Sequence, residues 1–233
     1  MATRLWFLDS QLSLTSAPQD YDAGWNYTTE GSKEWNLSTV KAGTIATGTQ
    51  IGAWSGTAGQ KAIDRQYRCP MPLRGGQVLD GTIKGQIMVR EYNNADNVDQ
   101  IIINLRICRA DGSGTDSVLS LGSYGPTAEF INNNSHRNKT IADGDSLSGA
   151  TTQDGDWLVL EIGYSNSTAA TTPEASARYG GTDADLPEDE TQTTDGASWV
   201  EFSQDLWLET SPINPSGDQG VPQQQRLTMG VGR

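Results

Sequence analysis

The chain has 233 residues, of which 35% are hydrophobic and 19% charged, with 26 glycines; this suits one large all-β domain of short strands and tight turns and is poor material for long helices. Its net charge of −13 is unevenly spread: residues 1–142 carry thirteen basic and thirteen acidic side chains, whereas residues 143–225 carry one basic residue, Arg178, against sixteen acids. So negative a surface repels phosphate backbones and anionic bilayers, which speaks against direct nucleic-acid or membrane binding and leaves solubility or a cationic partner.

From the N-terminus, Met1 to Leu8 has no apolar core of signal-peptide length, and no later stretch reaches the roughly 18 apolar residues of a membrane span. A protein made and kept in a cytoplasm is expected. Residues 4–8 are apolar enough for a strand, and placing it beside residues 198–208 would bring the two chain ends together. Residues 24–29, 34–40 and 62–69 are further strand candidates. In 83–89 and again in 101–107 the odd positions are predominantly apolar, the period-2 pattern of a strand with one buried face. The turn-rich Asn93 to Asn97 between them predicts a hairpin. A second hairpin is expected from 103–109 to 118–121 through the Asp111-Gly112 step.

Further along, Leu158, Leu160, Ile162 and Tyr164 share one face of the strand predicted for 157–164, with Val159 opposite. After a polar, acidic stretch come two β-rich segments, 198–203 and 205–208. The total is roughly nine or ten strands and no helix, which predicts an antiparallel two-sheet sandwich of jelly-roll type over residues 1–210. Residues 211–233, rich in Pro, Gly and Gln, cannot bury a core of their own and are expected to form an extended C-terminal arm held by a neighbouring surface.

Little in the sequence carries catalytic chemistry. Cys69 and Cys108 lack any metal-ligand spacing and read as buried, reduced thiols. The single histidine, His136, lies in a polar run and reads as an ordinary loop residue. No nucleophile-elbow, zinc-protease, phosphate-loop or dinucleotide motif occurs, and no carboxylate pair can be placed for glycoside hydrolysis; the expectation is a chain without enzymatic activity or a required cofactor. Asp183, Asp185, Glu188, Asp189 and Glu190 form the densest acidic cluster and are weak Ca²⁺ candidates, although their spacing is not that of an EF-hand and a solvated face is the simpler reading. Seven tryptophans are present. Most should be core, Trp157 and Trp199 among them, while Trp54, in a glycine-rich segment, is the best candidate for an exposed contact of the kind that stacks on sugar rings.

Four segments taken in order carry a resemblance: Asp22-Ala-Gly-Trp25; Gly85-Gln-Ile87 after Gly-Thr-Ile-Lys; Gln153-Asp-Gly-Asp-Trp-Leu-Val-Leu-Glu-Ile-Gly163; and Asp185-Leu-Pro-Glu-Asp-Glu190 followed by Trp199-Val-Glu-Phe202. Together they resemble a group of tailed-phage virion components with a sandwich or jelly-roll fold, over residues 2 to 203. The resemblance brings no catalytic residues. It implies a protein made in a host cytoplasm and carried on the virion, most simply a capsid decoration or cement protein that binds the major capsid protein as a homo-oligomer, a trimer by analogy. The candidate partner contacts are Trp54 in the body and Pro212, Pro215, Pro222, Arg226 and Arg233 in the arm, with the acidic half facing solvent and the neutral half facing the shell. The competing readings are a receptor- or glycan-binding module on a tail or head fibre, and a tail, collar or baseplate component. A carbohydrate-binding domain of a secreted enzyme fits less well, since neither a signal peptide nor a disulfide framework is evident.

Overall fold

The computed structural model describes residues 2–11, 20–28, 35–43, 46–47, 57–91, 97–124, 130, 136–169, 173–193 and 196–209. Among them lie fifteen strands and no helix: β1 (Thr3–Gln11), β2 (Tyr27–Thr28), β3 (Trp35–Ser38), β4 (Ala46–Thr47), β5 (Lys61–Arg68), β6 (Val78–Leu79), β7 (Thr82–Glu91), β8 (Gln100–Cys108), β9 (Thr115–Tyr124), β10 (His136–Ser146), β11 (Ala150–Thr151), β12 (Trp157–Ser165), β13 (Ala175–Tyr179), β14 (Gln192–Thr193) and β15 (Trp199–Phe202). Five of these are two-residue pairings, which leaves ten longer strands, in line with the alternating pattern.

Thirteen strands belong to one sheet, ordered β14-β10-β7-β15-β1-β3-β5-β12-β8-β9, while β6 and β11 form a separate ribbon. β13 lies beside the far end of β7, in tandem with β15. The sheet is mixed rather than purely antiparallel, because β2 and β3 both run parallel to β5. It curls until β9 and β10, far apart in strand order, approach each other, and the main apolar cluster fills the inside of the curl. Ile101, Ile103, Leu105 and Ile107 of β8 point inward with Leu158, Leu160, Ile162 and Tyr164 of β12 and Ile83, Ile87 and Val89 of β7, as the period-2 pattern requires. Phe7, Tyr67 and Tyr179 meet there, with Phe7 and Tyr67 edge to face at 4.8 Å.

Several expectations are met. β1 pairs with β15, Leu5 opposite Val200, so residues near the two ends of the body are neighbours. β8 and β9 form the hairpin expected at Asp111-Gly112, with Gly112 at φ 74° and the Ser113 N–H donating to Asp111 Oδ1. Cys69 and Cys108 are buried and not joined in a disulfide, and burial pushes the Cys69 pKa up to about 12.

Others are corrected. β7 and β8 do not form a hairpin: β7 pairs with β10, β13 and β15, and β8 with β12 and β9. Both strands have one apolar face for the same core, and that pattern says nothing about which neighbour each takes. His136 is not a loop residue but opens β10 and is 3% exposed; the polar composition of that strand hid it. The acidic and neutral halves of the sequence are not two faces either. β15 lies between β7 and β1, and β12 between β5 and β8, so the halves interleave strand by strand.

The strands of the β5-β12-β8 part are buried on both sides, as strands are when something covers the outer face. On that face Trp25 packs on Ile63 and Ile102, and it fits because residue 163 is glycine. A Cβ there would lie 2.0 Å from the Ala62 carbonyl oxygen and 2.7 Å from the Trp25 ring. Gly163→Ala is therefore expected to lower unfolding stability by about 2 kcal/mol or more, as measured by urea denaturation.

Candidate functional site

Two irregular segments cover the outside of the curled sheet, and each is held by charge. Over β5, β12 and β8 lies the segment around residues 20–25. Its anchor is Glu161 of β12, which is fully buried. Oε2 accepts from Trp25 Nε1 at 2.7 Å and Asn104 Nδ2 at 2.9 Å, while Oε1 accepts from Gln66 Nε2 at 3.0 Å and from the Arg106 guanidinium. The Asp22 N–H also points at this carboxylate, 3.2 Å from Oε1. Arg106 in turn donates to the Asp20 carbonyl at 2.6 Å. A buried ion pair is stable only when its remaining lone pairs and protons are satisfied in this way.

Over β1, β15, β7 and β10 lies the acidic stretch 183–191. Leu186 and Trp6 pack with Met88 and Trp199, the Arg4 guanidinium stacks 3.8 Å above the Trp199 ring, and Trp199 Nε1 donates to the Leu186 carbonyl. Of the calcium candidates, Asp185, Glu188, Asp189 and Glu190 meet groups of the chain itself. Asp185 takes Arg4 at 2.9 Å, Lys41 at 2.6 Å and Trp6 Nε1 at 3.0 Å; partial burial works the other way, but these donors hold its carboxyl below the usual range. Glu188 pairs with Lys84 at 2.9 Å. Asp189 accepts from Thr191 and Asn138, and Glu190 from the Thr140 N–H, with the buried Lys139 ammonium 3.3 Å away. Asp183 contributes its carbonyl to Lys41. Among the described residues no group of three His, Cys, Asp or Glu is placed to hold a metal ion.

Inside the curl, Asp64 accepts from the hydroxyls of Tyr164 at 2.6 Å and Tyr179 at 2.5 Å. Burial raises its pKa, against the pull of Arg65 and the two hydroxyls. On the outer side of β10, the side shared by Asn138 and Met88, His136 has no hydrogen-bond partner on either ring nitrogen, and burial, with the charges of Arg178 and Arg90, lowers its pKa to about 4. Asp64 ties two core tyrosines together, whereas His136 is buried without such a bond.

The exposed candidate lies elsewhere. Residues 153–156, 72–76 and 206–209 form a small antiparallel ribbon through the bridges Leu73 to Asp156 and Leu73 to Leu208. Leu73 is fully buried and Leu208 packs against the same core. Residues one step along, Arg74 and Trp207, therefore face outward opposite each other, since directly opposed residues share a side. The backbone of Trp207 is tied down at both groups: its carbonyl accepts from the Arg74 N–H at 2.8 Å and Gln77 Nε2 at 3.0 Å, and its N–H donates to Gln77 Oε1 at 3.1 Å. Yet the residue is 52% exposed. Beside it, Glu209 Oε1 accepts from the Gly155 N–H and Asp154 Oδ1 from the Gly75 N–H. Burial, then the neighbouring charge of Asp154, raises the Glu209 pKa. The alternation Leu206-Trp207-Leu208 was the available signal for this outward ring. Trp54, chosen for its glycine-rich surroundings, lies outside the described residues, as do Pro212, Pro215, Pro222, Arg226 and Arg233.

No protein-family model matches the chain, and no curated protein matches it. Among solved structures it is similar to a CocE/NonD family hydrolase from Staphylococcus aureus, with 10% identity and a TM-score of 0.48, over 87% of this chain and 36% of that one. The chain thus spans about a third of that hydrolase's length. The expectation of a chain without enzymatic activity does not stand, because the similar structure is a hydrolase. At this identity and TM-score the likeness assigns no reaction to this chain.

Two outcomes follow from the buried charges. Glu161→Ala leaves Arg106 buried without its partner and is expected to cost about 3–5 kcal/mol, with Glu161→Gln, which keeps one acceptor, falling between it and the natural chain in chemical denaturation. For His136 the folded pKa lies below that of a free imidazole, so proton uptake favours the unfolded chain. Stability should be complete above about pH 6.5 and fall towards about pH 4, by on the order of 3 kcal/mol relative to His136→Gln, with no further difference below; denaturation midpoints across that range measure it.

Proposed function

We propose that this chain is a structural component of a tailed-phage particle, a decoration or cement protein that attaches to the outside of the shell and stabilises it. The sequence resemblance supports the reading, and the stitched body is the structural observation that favours it. Glu161 on one outer face and the Arg4, Lys41 and Lys84 pairs on the other hold irregular segments onto the sheet, as suits a part that must keep its shape outside a cell. The finer architecture belongs to the same proposal: a jelly-roll-like body in which β10-β7-β15-β1 and β3-β5-β12-β8-β9 act as two layers across the common core, joined by the short β1-β3-β5 seam.

In this reading the major capsid protein is the partner and the copies form a trimer on the shell, with the segment beyond residue 210 bridging neighbouring subunits. Several weak contacts along such an arm add up through effective concentration. Because the acidic and neutral strands interleave, attachment would use a local patch and not one charged half against the other.

Purified protein mixed with empty shells that lack it should co-sediment saturably, at a fixed ratio to the major capsid protein, and raise the temperature at which the shells rupture. Absence of binding to such shells would overturn the decoration reading. Deleting residues 211–233 should weaken binding; unchanged binding would defeat the bridging role of the arm.

A further inference from the structure

We infer that the outward face of the Arg74–Trp207 ribbon is a saccharide-binding site, in which the Trp207 ring is the stacking platform and Arg74, Asp154 and Glu209 supply hydrogen bonds to hydroxyl groups. The inference is independent of shell attachment.

Three features carry it. First, an indole is among the largest apolar side chains, and leaving it 52% exposed forgoes burial that the other described tryptophans largely achieve. Second, the exposure is built and not the fraying of a chain end. Gln77 is 4% exposed, and its side-chain amide meets both backbone groups of Trp207, holding the ring's root as a neighbouring strand would. Third, the surroundings are polar with both signs represented: an exposed arginine, Arg74, directly opposite on the ribbon and two carboxylates fixed by the Gly75 and Gly155 N–H groups. Among the described residues, the one other exposed large apolar residue that this region contributes is Val78.

That chemistry selects the ligand. A protein partner would need roughly 800 Å² of surface on this side, far more than one ring and a valine present as an apolar centre. A cationic ligand would suit the indole and the carboxylates but would meet Arg74 directly opposite the ring. A sugar ring fits all the groups. Its axial C–H face lies on the indole, while its hydroxyls, donor and acceptor at once, use Arg74 as donor and Asp154 and Glu209 as acceptors. Such contacts give weak single sites that a multivalent particle would multiply.

The full-length protein should be run in native gels containing dissolved glycogen, galactomannan, xylan or a purified bacterial surface polysaccharide, one per gel. Retardation is expected in at least one of them, and Trp207→Ala should weaken it about tenfold or more without lowering the unfolding midpoint. Trp207→Phe should retain most of it, and Arg74→Ala, at an exposed position, should weaken it as a second, independent variant. Equal retardation of Trp207→Ala and Arg74→Ala, or no retardation in any gel, would overturn the inference. So would binding of an oligolysine peptide, in place of the polysaccharides, that is lost in Trp207→Ala. Loss of retardation with shell co-sedimentation intact would support it and separate this site from particle attachment; failure of shell binding with retardation intact would sink only the decoration reading.

Discussion

The organisation of this molecule depends on one fully buried carboxylate. Glu161 projects from the outer face of β12, where a strand with a solvated face would simply point into water. Here it is sealed under residues 20–25 and receives Trp25, Gln66, Asn104 and Arg106. Removing a charge from water is costly, and only a complete set of donors compensates. The covering segment, the outward polar residues of β5 and β8 and the vacant side of Gly163 are therefore mutually dependent. None of them has its present use without the others.

The opposite part of the curl is fastened differently: under residues 20–25 both members of the Glu161–Arg106 pair belong to the sheet and the cover adds uncharged groups, whereas on this side the ion pairs run between sheet and cover. There the sheet supplies cations, Arg4 and Lys84, and the cover supplies carboxylates, Asp185 and Glu188. The acidity that dominates residues 143–225 is thus partly an internal fastening between the two halves of the sequence. With both flanks closed, the Arg74–Trp207 ribbon stands out: it keeps a large aromatic residue at the surface while fixing its backbone. A rigid aromatic group among fixed donors and acceptors is what recognition of a small polar ring requires, since little ordering entropy is then lost on binding.

Much of the fold was legible in the chain. The alternation in 83–89, 101–107 and 157–164 reports which side of each strand meets the core, because burial acts on every second side chain. The Asp111-Gly112 turn was readable because its backbone geometry favours those residues. β10 was not legible. Its His136, Asn138 and Lys139 are buried beside other strands and under the acidic cover, and composition registers polarity, not shelter. The pairing of β7 was equally silent, since an apolar face specifies a core and leaves the neighbour open. In the candidate sites the acidic run was visible but its occupants were not: Arg4, Lys41 and Lys84 lie 104–181 residues away in sequence from the carboxylates of that run which they meet.

By itself, then, the sequence determined an all-β body, the inward faces of its main strands, one tight hairpin and the adjacency of the first strand to the last. Each of these follows from local periodicity, turn chemistry or the need to bury two apolar end segments. Only the tertiary structure decided that most strands join a single curled, mixed sheet, that Glu161 and Asp64 lie buried, that carboxylates of the acidic loop are met by cations of the chain itself, and that among the described tryptophans it is Trp207 that is exposed. These depend on contacts between residues far apart in the chain, and desolvation at a site is set by everything packed around it, which no single segment encodes.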